Sequence, residues 1–292
     1  MRHRDVQRGE GDQLLSTPSI AQLITVVFVG GALGMWISLS GRQDPSIDLL
    51  VWAAVAAALT ATAGVVASSG WTSWRALVHL RPGDMRAEFV LAAGIVVLGA
   101  LAAAASFVVS DNPSVRGTLL VGAAILGAIP PIMAMARVRT ITMSTDDEGS
   151  AVVDLLVSLR LVLVRQLRGL GALVALATMA LALSPFRDNM FTTDDAGGEG
   201  SVLILGGVGS ALVAVAYVPA ALALRSRVGA LARGLMPIND QDEGESVLGR
   251  LKGRQELVKL VMGERGIYDE LLTSLVVAAP LLSATIGDQL TG

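Results

Sequence analysis

The chain of 292 residues contains no cysteine, which excludes disulfides, a thiolate nucleophile and sulfur-ligated metals. Histidine is almost as scarce. His3 and His79 stand far apart in polar stretches, read as solvated loop residues, and are too few for a zinc or haem ligand set. Lysine is confined to Lys252 and Lys259, although Lys and Arg together number 22. With the richness in Ala and Gly, that imbalance reads as a GC-rich bacterial coding bias. Charged residues are 16% of the chain, against about 25% in a soluble domain. A net charge of -3 gives no argument for a nucleic-acid partner.

Apolar residues are plentiful: 53% of the chain, with a mean hydropathy of +0.63. Disorder needs the opposite balance. No three- or seven-residue period runs through the chain, so collagen-like and coiled-coil folds are excluded. The remaining class is all-α, a polytopic integral membrane bundle.

A hydrocarbon core about 30 Å thick takes about 20 apolar residues of helix. Six windows without Asp, Glu, Lys or Arg fit: Ile20–Leu39, Leu49–Ser69, Phe89–Val109, Thr118–Ala136, Leu170–Ser184 and Ser201–Leu224. The fifth is short and borrows its start from the apolar run before Arg168. A seventh window, Leu271–Ile286, is also short and contains Pro280. It either spans or lies on the interface, so six or seven transmembrane helices are predicted. The first apolar run is too long for a signal-peptide core and reads as an uncleaved helix.

Basic residues set the expected orientation. With the N-terminus cytoplasmic, the outer loops hold only Arg42, Arg116 and Arg187 of the 22 Lys and Arg. The domain plan is a polar cytoplasmic N-terminus (1–19), helices 1–4 (20–136), a cytoplasmic acidic turn and amphipathic helix (137–168), and helices 5–6 (169–224). A cytoplasmic amphipathic segment (225–270) and the 271–292 segment complete it. The localisation this implies is multi-pass in a bacterial cell (cytoplasmic) membrane. The outer loop Pro185–Gly200 reads as a solvated turn, its carboxylates too irregular for calcium.

A tandem likeness bears on the last segment. Pro131 to Arg137 and Arg139 matches Pro219 to Arg225 and Arg227, and an acidic turn follows each. Then Leu155, Leu161, Val162 and Val164 correspond to Leu251, Leu257, Val258 and Leu260. Such repeats occur in transporters but also in structural membrane proteins.

Ala151–Arg168 and Ser246–Arg265 have apolar residues at helical spacing against basic ones. Arg160, Arg165, Arg168, Arg250 and Arg254 are the candidate contacts to anionic lipid or a partner. Small residues at Gly30 and Gly34, at Ala123 and Gly127, and at Gly206, Ser210 and Ala214 are spaced for close helix packing. Pro130, Pro131 and Pro219 sit inside helices. With Ser210 and Tyr217 they mark a candidate helix-break site, where freed carbonyls would face a solute.

No phosphate-binding loop, no nucleophile elbow and no paired carboxylates occur, so no catalytic, cofactor or metal residue is assigned. The interfacial acids Glu88, Asp154 and Asp269 are expected to be unpaired. Hydroxyls such as Thr25, Ser38, Thr60 and Thr178 are expected to bond their own helix backbone. The first functional expectation is a non-enzymatic subunit or scaffold of an envelope-associated assembly, with the bilayer and other membrane proteins or a second copy as partners. The alternative is a facilitative permease for an apolar or lipid-like solute.

Overall fold

A computed structural model describes residues 19–40, 47–83, 85–86, 88–94, 97–98, 115–144, 150–183, 197–237, 244–263 and 269–270. Among these residues the structure is helical and contains no strand. Six helices carry the fold: α1 (Ile20–Leu39), α2 (Ile47–Leu80), α3 (Val115–Ser144), α4 (Ser150–Ala182), α5 (Gly197–Leu235) and α6 (Gly244–Met262). Residues 88–94 and 97–98 are helical as well. Helices α1 to α5 are long and apolar enough to cross a membrane. Most of the window Phe89–Val109, and all of Leu271–Ile286, lie outside the described residues.

Close contacts fix the directions of the helices. Gly30 of α1 lies against Thr60 and Ala61 of α2, and Gly34 against Ala56 and Ala57, so the pair is antiparallel. A Cβ on Gly34 would stand 2.5 Å from the Ala56 carbonyl oxygen, so only glycine lets these backbones meet. The Thr60 hydroxyl bridges the gap, donating to the Gly30 carbonyl at 2.6 Å. The G-x-x-x-G spacing therefore serves packing within the chain. Helices α2 and α3 run parallel: Gly127 faces Ala63, and Gly70 faces Pro131. The chain must therefore return the length of the bundle between Leu80 and Val115. The helical residues 88–94 and 97–98 lie on that return. Helix α4 opposes α2, with the Trp52 indole N–H donating to the Ala180 carbonyl at 2.9 Å. Helix α5 opposes α4, with Gly206 on Thr178 and Gly209 on Val174.

Helices of 34, 30, 33 and 39 residues (α2 to α5) are about 45–58 Å long, well beyond a 30 Å hydrocarbon core. They all extend past the apolar windows at the Arg-rich end. The predicted limits at Arg137, Arg168 and Leu224 fall inside continuous helices. Helix α4 runs unbroken through Arg160, Arg165 and Arg168, as the short fifth window required. Helix α5 begins at Gly197, inside a stretch read from the sequence as loop.

The core divides into two tiers. The first includes Trp52, Leu59, Val66, Ile132, Leu167, Leu173 and Ala221. The second, at the Arg-rich end, includes Leu77, Val138, Ile141, Leu156, Leu159, Leu231 and Val261 of α6. The amphipathic stretch before Arg168 thus buries its apolar face on the protein's own bundle.

Candidate functional site

Buried polar side chains collect where the two tiers meet. On α2 and α4, the Gln166 amide donates to the Ser73 hydroxyl at 3.1 Å, both buried. Two arginine–glutamate pairs lie at or just beyond this level.

In the first pair, Arg137 of α3 meets Glu88 at 2.9 Å, with side chains only 2% and 1% exposed. Trp74 of α2 donates its indole N–H to the second carboxylate oxygen at 2.7 Å. Arg137 also donates to the Arg81 carbonyl. Trp74 in turn packs on Trp71 at 5.0 Å and edge-on against Phe89 at 6.4 Å. Both carboxylate oxygens therefore have charged or strong donors, which a buried carboxylate requires.

The second pair has the same parts on different helices. Arg160 of α4 meets Glu270 at 2.6 Å, with side chains 21% and 11% exposed. Tyr217 of α5, itself buried, donates its hydroxyl to the other carboxylate oxygen at 2.6 Å. Gly263 ends α6 at φ 73° and donates to the Lys259 carbonyl at 2.7 Å. This left-handed conformation, open to glycine, closes the helix end. A Cβ at Gly263 would meet the Arg160 guanidinium at 2.5 Å.

The expectation that nothing pairs the interfacial acids fails at Glu88, which is fully buried and ion-paired. Asp154 and Asp269 are exposed. Neither Glu270 nor Arg137 stood out in the sequence as a site residue. The missed signal was position: Glu88 directly precedes the window Phe89–Val109, and Glu270 directly precedes Leu271–Ile286.

The candidate contacts separate. Arg160 is an ion-pair residue, Arg165 is half-buried and Arg168 is exposed. Arg254 donates twice to the Met236 carbonyl, at 3.0 and 2.6 Å, and Arg250 donates to the Pro237 carbonyl. Both thereby fasten α6 to the end of α5. Helix α3 is continuous through Pro130 and Pro131, and α5 through Pro219. Pro131 is buried against Gly70, while Pro130, Pro219 and Ser210 are half-buried. The tandem likeness also ends early, because α6 stops at Gly263 where α4 continues through the corresponding Leu167. Thr25, Ser38 and Thr178 bond their own helix carbonyls, as expected; Thr60 does so and bridges to α1 as well.

Among the described residues no group of three or more His, Cys, Asp or Glu is placed to hold a metal. A small apolar crevice of about 20 Å³ is lined by Trp52, Leu59, Leu120 and Ala177, among others. The chain matches no protein-family model, no curated protein and no solved structure.

Proposed function

We propose that the protein is a non-enzymatic subunit or scaffold of a bacterial envelope-associated assembly. On this reading it crosses the cytoplasmic membrane at least six times with its N-terminus inside and docks partners on its Arg-rich tier. The orientation rests on the arginine bias. The sixth crossing rests on the parallel course of α2 and α3, which requires a return through the window Phe89–Val109.

One observation carries the docking reading. Large apolar side chains are exposed on the tier that extends past the membrane windows: Met143, Leu235, Leu248, Leu251 and Leu260. Leu235 lies eighteen residues beyond Tyr217 on one continuous helix, about 27 Å further along. We read Leu235, eleven residues past the window's end at Leu224, as lying in water, where exposed leucines mark an association surface. Exposed Arg139, Arg233, Lys252 and Lys259 stand among them. The permease alternative drew on the tandem likeness, the prolines inside α3 and α5 and an apolar interior.

The test is purification in mild detergent from the native membrane, with co-purifying proteins identified by mass spectrometry. The variant combines Arg139→Glu, Arg233→Glu, Lys252→Glu and Lys259→Glu. These four are exposed, whereas Arg160 holds Glu270 and Arg254 holds α6 to the end of α5. A stoichiometric partner, lost in the variant with thermal stability unchanged, is the expected result. A chain that purifies alone in both forms contradicts the proposal.

A further inference from the structure

Two exposed faces meet beside the first ion pair. On α2, Trp71, Arg75 and His79 follow at intervals of four residues, so they share one face, and all three are exposed. In the helical stretch after α2, Arg86, Phe89 and Val90 stand three and four residues apart and are exposed as well. Trp74 joins the two faces, with its ring 5.0 Å from that of Trp71 and 6.4 Å from that of Phe89.

Charge on this patch has one sign. Among the described residues from 71 to 94, Arg75, Arg81 and Arg86 are exposed, and the sole acid is Glu88. Arg137 neutralises Glu88 in the interior, so it offers no repulsion to an anion at the surface. Among the described residues nothing pairs with the Arg75 guanidinium or accepts the Trp71 indole N–H.

The depth of the patch is set by the apolar windows. One ends at Ser69, two residues before Trp71, and the next begins at Phe89. Both rings thus stand where hydrocarbon gives way to headgroups, the level at which amphipathic aromatics collect. Arg75 lies about 6 Å from Trp71 along α2, away from the hydrocarbon. On the hydrocarbon side of Phe89 the large exposed side chains are apolar: Val90, Val97 and Leu98. Guanidinium above, aromatic ring at the boundary and aliphatic surface below match a phosphate, its glycerol esters and an acyl chain.

We infer that Trp71, Arg75, Arg86 and Phe89 form a binding site for an anionic phospholipid. Arg75 and Arg86 take the headgroup phosphate, Trp71 donates to the ester region, and an acyl chain lies on Phe89 and Val90. A zwitterionic lipid brings its own cation beside the arginines and binds less well. The site rests on the membrane crossing proposed above and is separate from the docking of a partner on the tier beyond it.

The test reconstitutes the full chain carrying Trp36→Phe in phosphatidylcholine vesicles. A minor fraction of the lipid has brominated acyl chains, on phosphatidylglycerol in one sample and on phosphatidylcholine in the other. Trp71 emission, taken as the difference from a Trp71→Phe sample, should be quenched more by the brominated phosphatidylglycerol. Arg75→Gln should cut this preference about five-fold, and adding Arg86→Gln should erase it. Arg75→Gln alone decides the matter if the double variant unfolds. Arg225→Gln removes an exposed arginine just past the window of α5 and should leave the preference intact. Equal quenching by the two lipids, a preference that survives the arginine variants, or an equal loss in Arg225→Gln would overturn the site. Quenching of Trp71 by neither lipid, with Trp36 of the unaltered chain still quenched, would overturn the site alone. Quenching of neither tryptophan would overturn the membrane crossing with it.

Discussion

The two arginine–glutamate clusters use the same chemistry in unequal surroundings. Arg137 and Glu88 are sealed, with side chains 2% and 1% exposed, whereas Arg160 and Glu270 keep 21% and 11%. The first joins α3 to the stretch that follows α2, beside Trp74 with its ring contacts to Trp71 and Phe89. The second joins α4 and α5 to a chain that arrives only after α6 and the left-handed turn at Gly263. A sealed pair cannot rehydrate when one partner is lost, so its remaining charge is stranded. The half-open pair can admit water. The first cluster therefore acts as a lock on the fold, and the second as a fastening for the C-terminal arm.

This contrast can be broken or sharpened by four single substitutions and one double variant, and the largest effect belongs to the lock. Glu88→Gln leaves the Arg137 guanidinium buried without its counter-charge, a loss of about 3–5 kcal/mol. Unfolding in mild detergent should show it at every salt concentration. The pair Arg137→Met with Glu88→Leu should recover most of the loss, because an apolar replacement strands no charge. Next comes Glu270→Gln, expected to cost about 1–3 kcal/mol. The Arg160–Glu270 pair should weaken with added salt more than the sealed pair does, since screening acts where water enters. Equal penalties and equal salt responses for the two variants would erase the distinction. Tyr217→Phe removes one hydrogen bond to Glu270 and should cost about 1 kcal/mol in the same assay. Arg168→Gln, at an exposed position, should stay within about 0.5 kcal/mol of the parent.

Much of the fold was legible because bilayer thickness imposes length and composition directly on the sequence. The windows at Ile20, Leu49, Thr118, Leu170 and Ser201 each correspond to a long helix. Gly30 and Gly34 were legible as packing residues because only a missing side chain allows the approach to Ala56 and Thr60. The extension of α3, α4 and α5 past Arg137, Arg168 and Leu224 was hidden. An arginine ends an apolar window without ending a helix, and it is a good helix former. The prolines lie inside continuous helices. In a packed membrane helix a proline forfeits one backbone bond, and the neighbours hold the geometry. Pro131 against Gly70 shows such a neighbour. The ion pairs were missed because Arg137 was read within the tandem likeness, Arg160 as a lipid or partner contact and Glu88 as an unpaired interfacial acid. Their partners lie 49 and 110 residues away in sequence, a separation no local pattern reports.

The docking proposal for the Arg-rich tier meets its most direct test in site-specific photocrosslinking in native membranes. A photoreactive residue is placed at Leu260, exposed on α6, and at Val27, exposed on α1. At Leu260 a discrete protein adduct of fixed mass is expected, and at Val27 only lipid. Lipid adducts alone at both positions, or no adduct at Leu260, would contradict the proposal that this tier receives a partner.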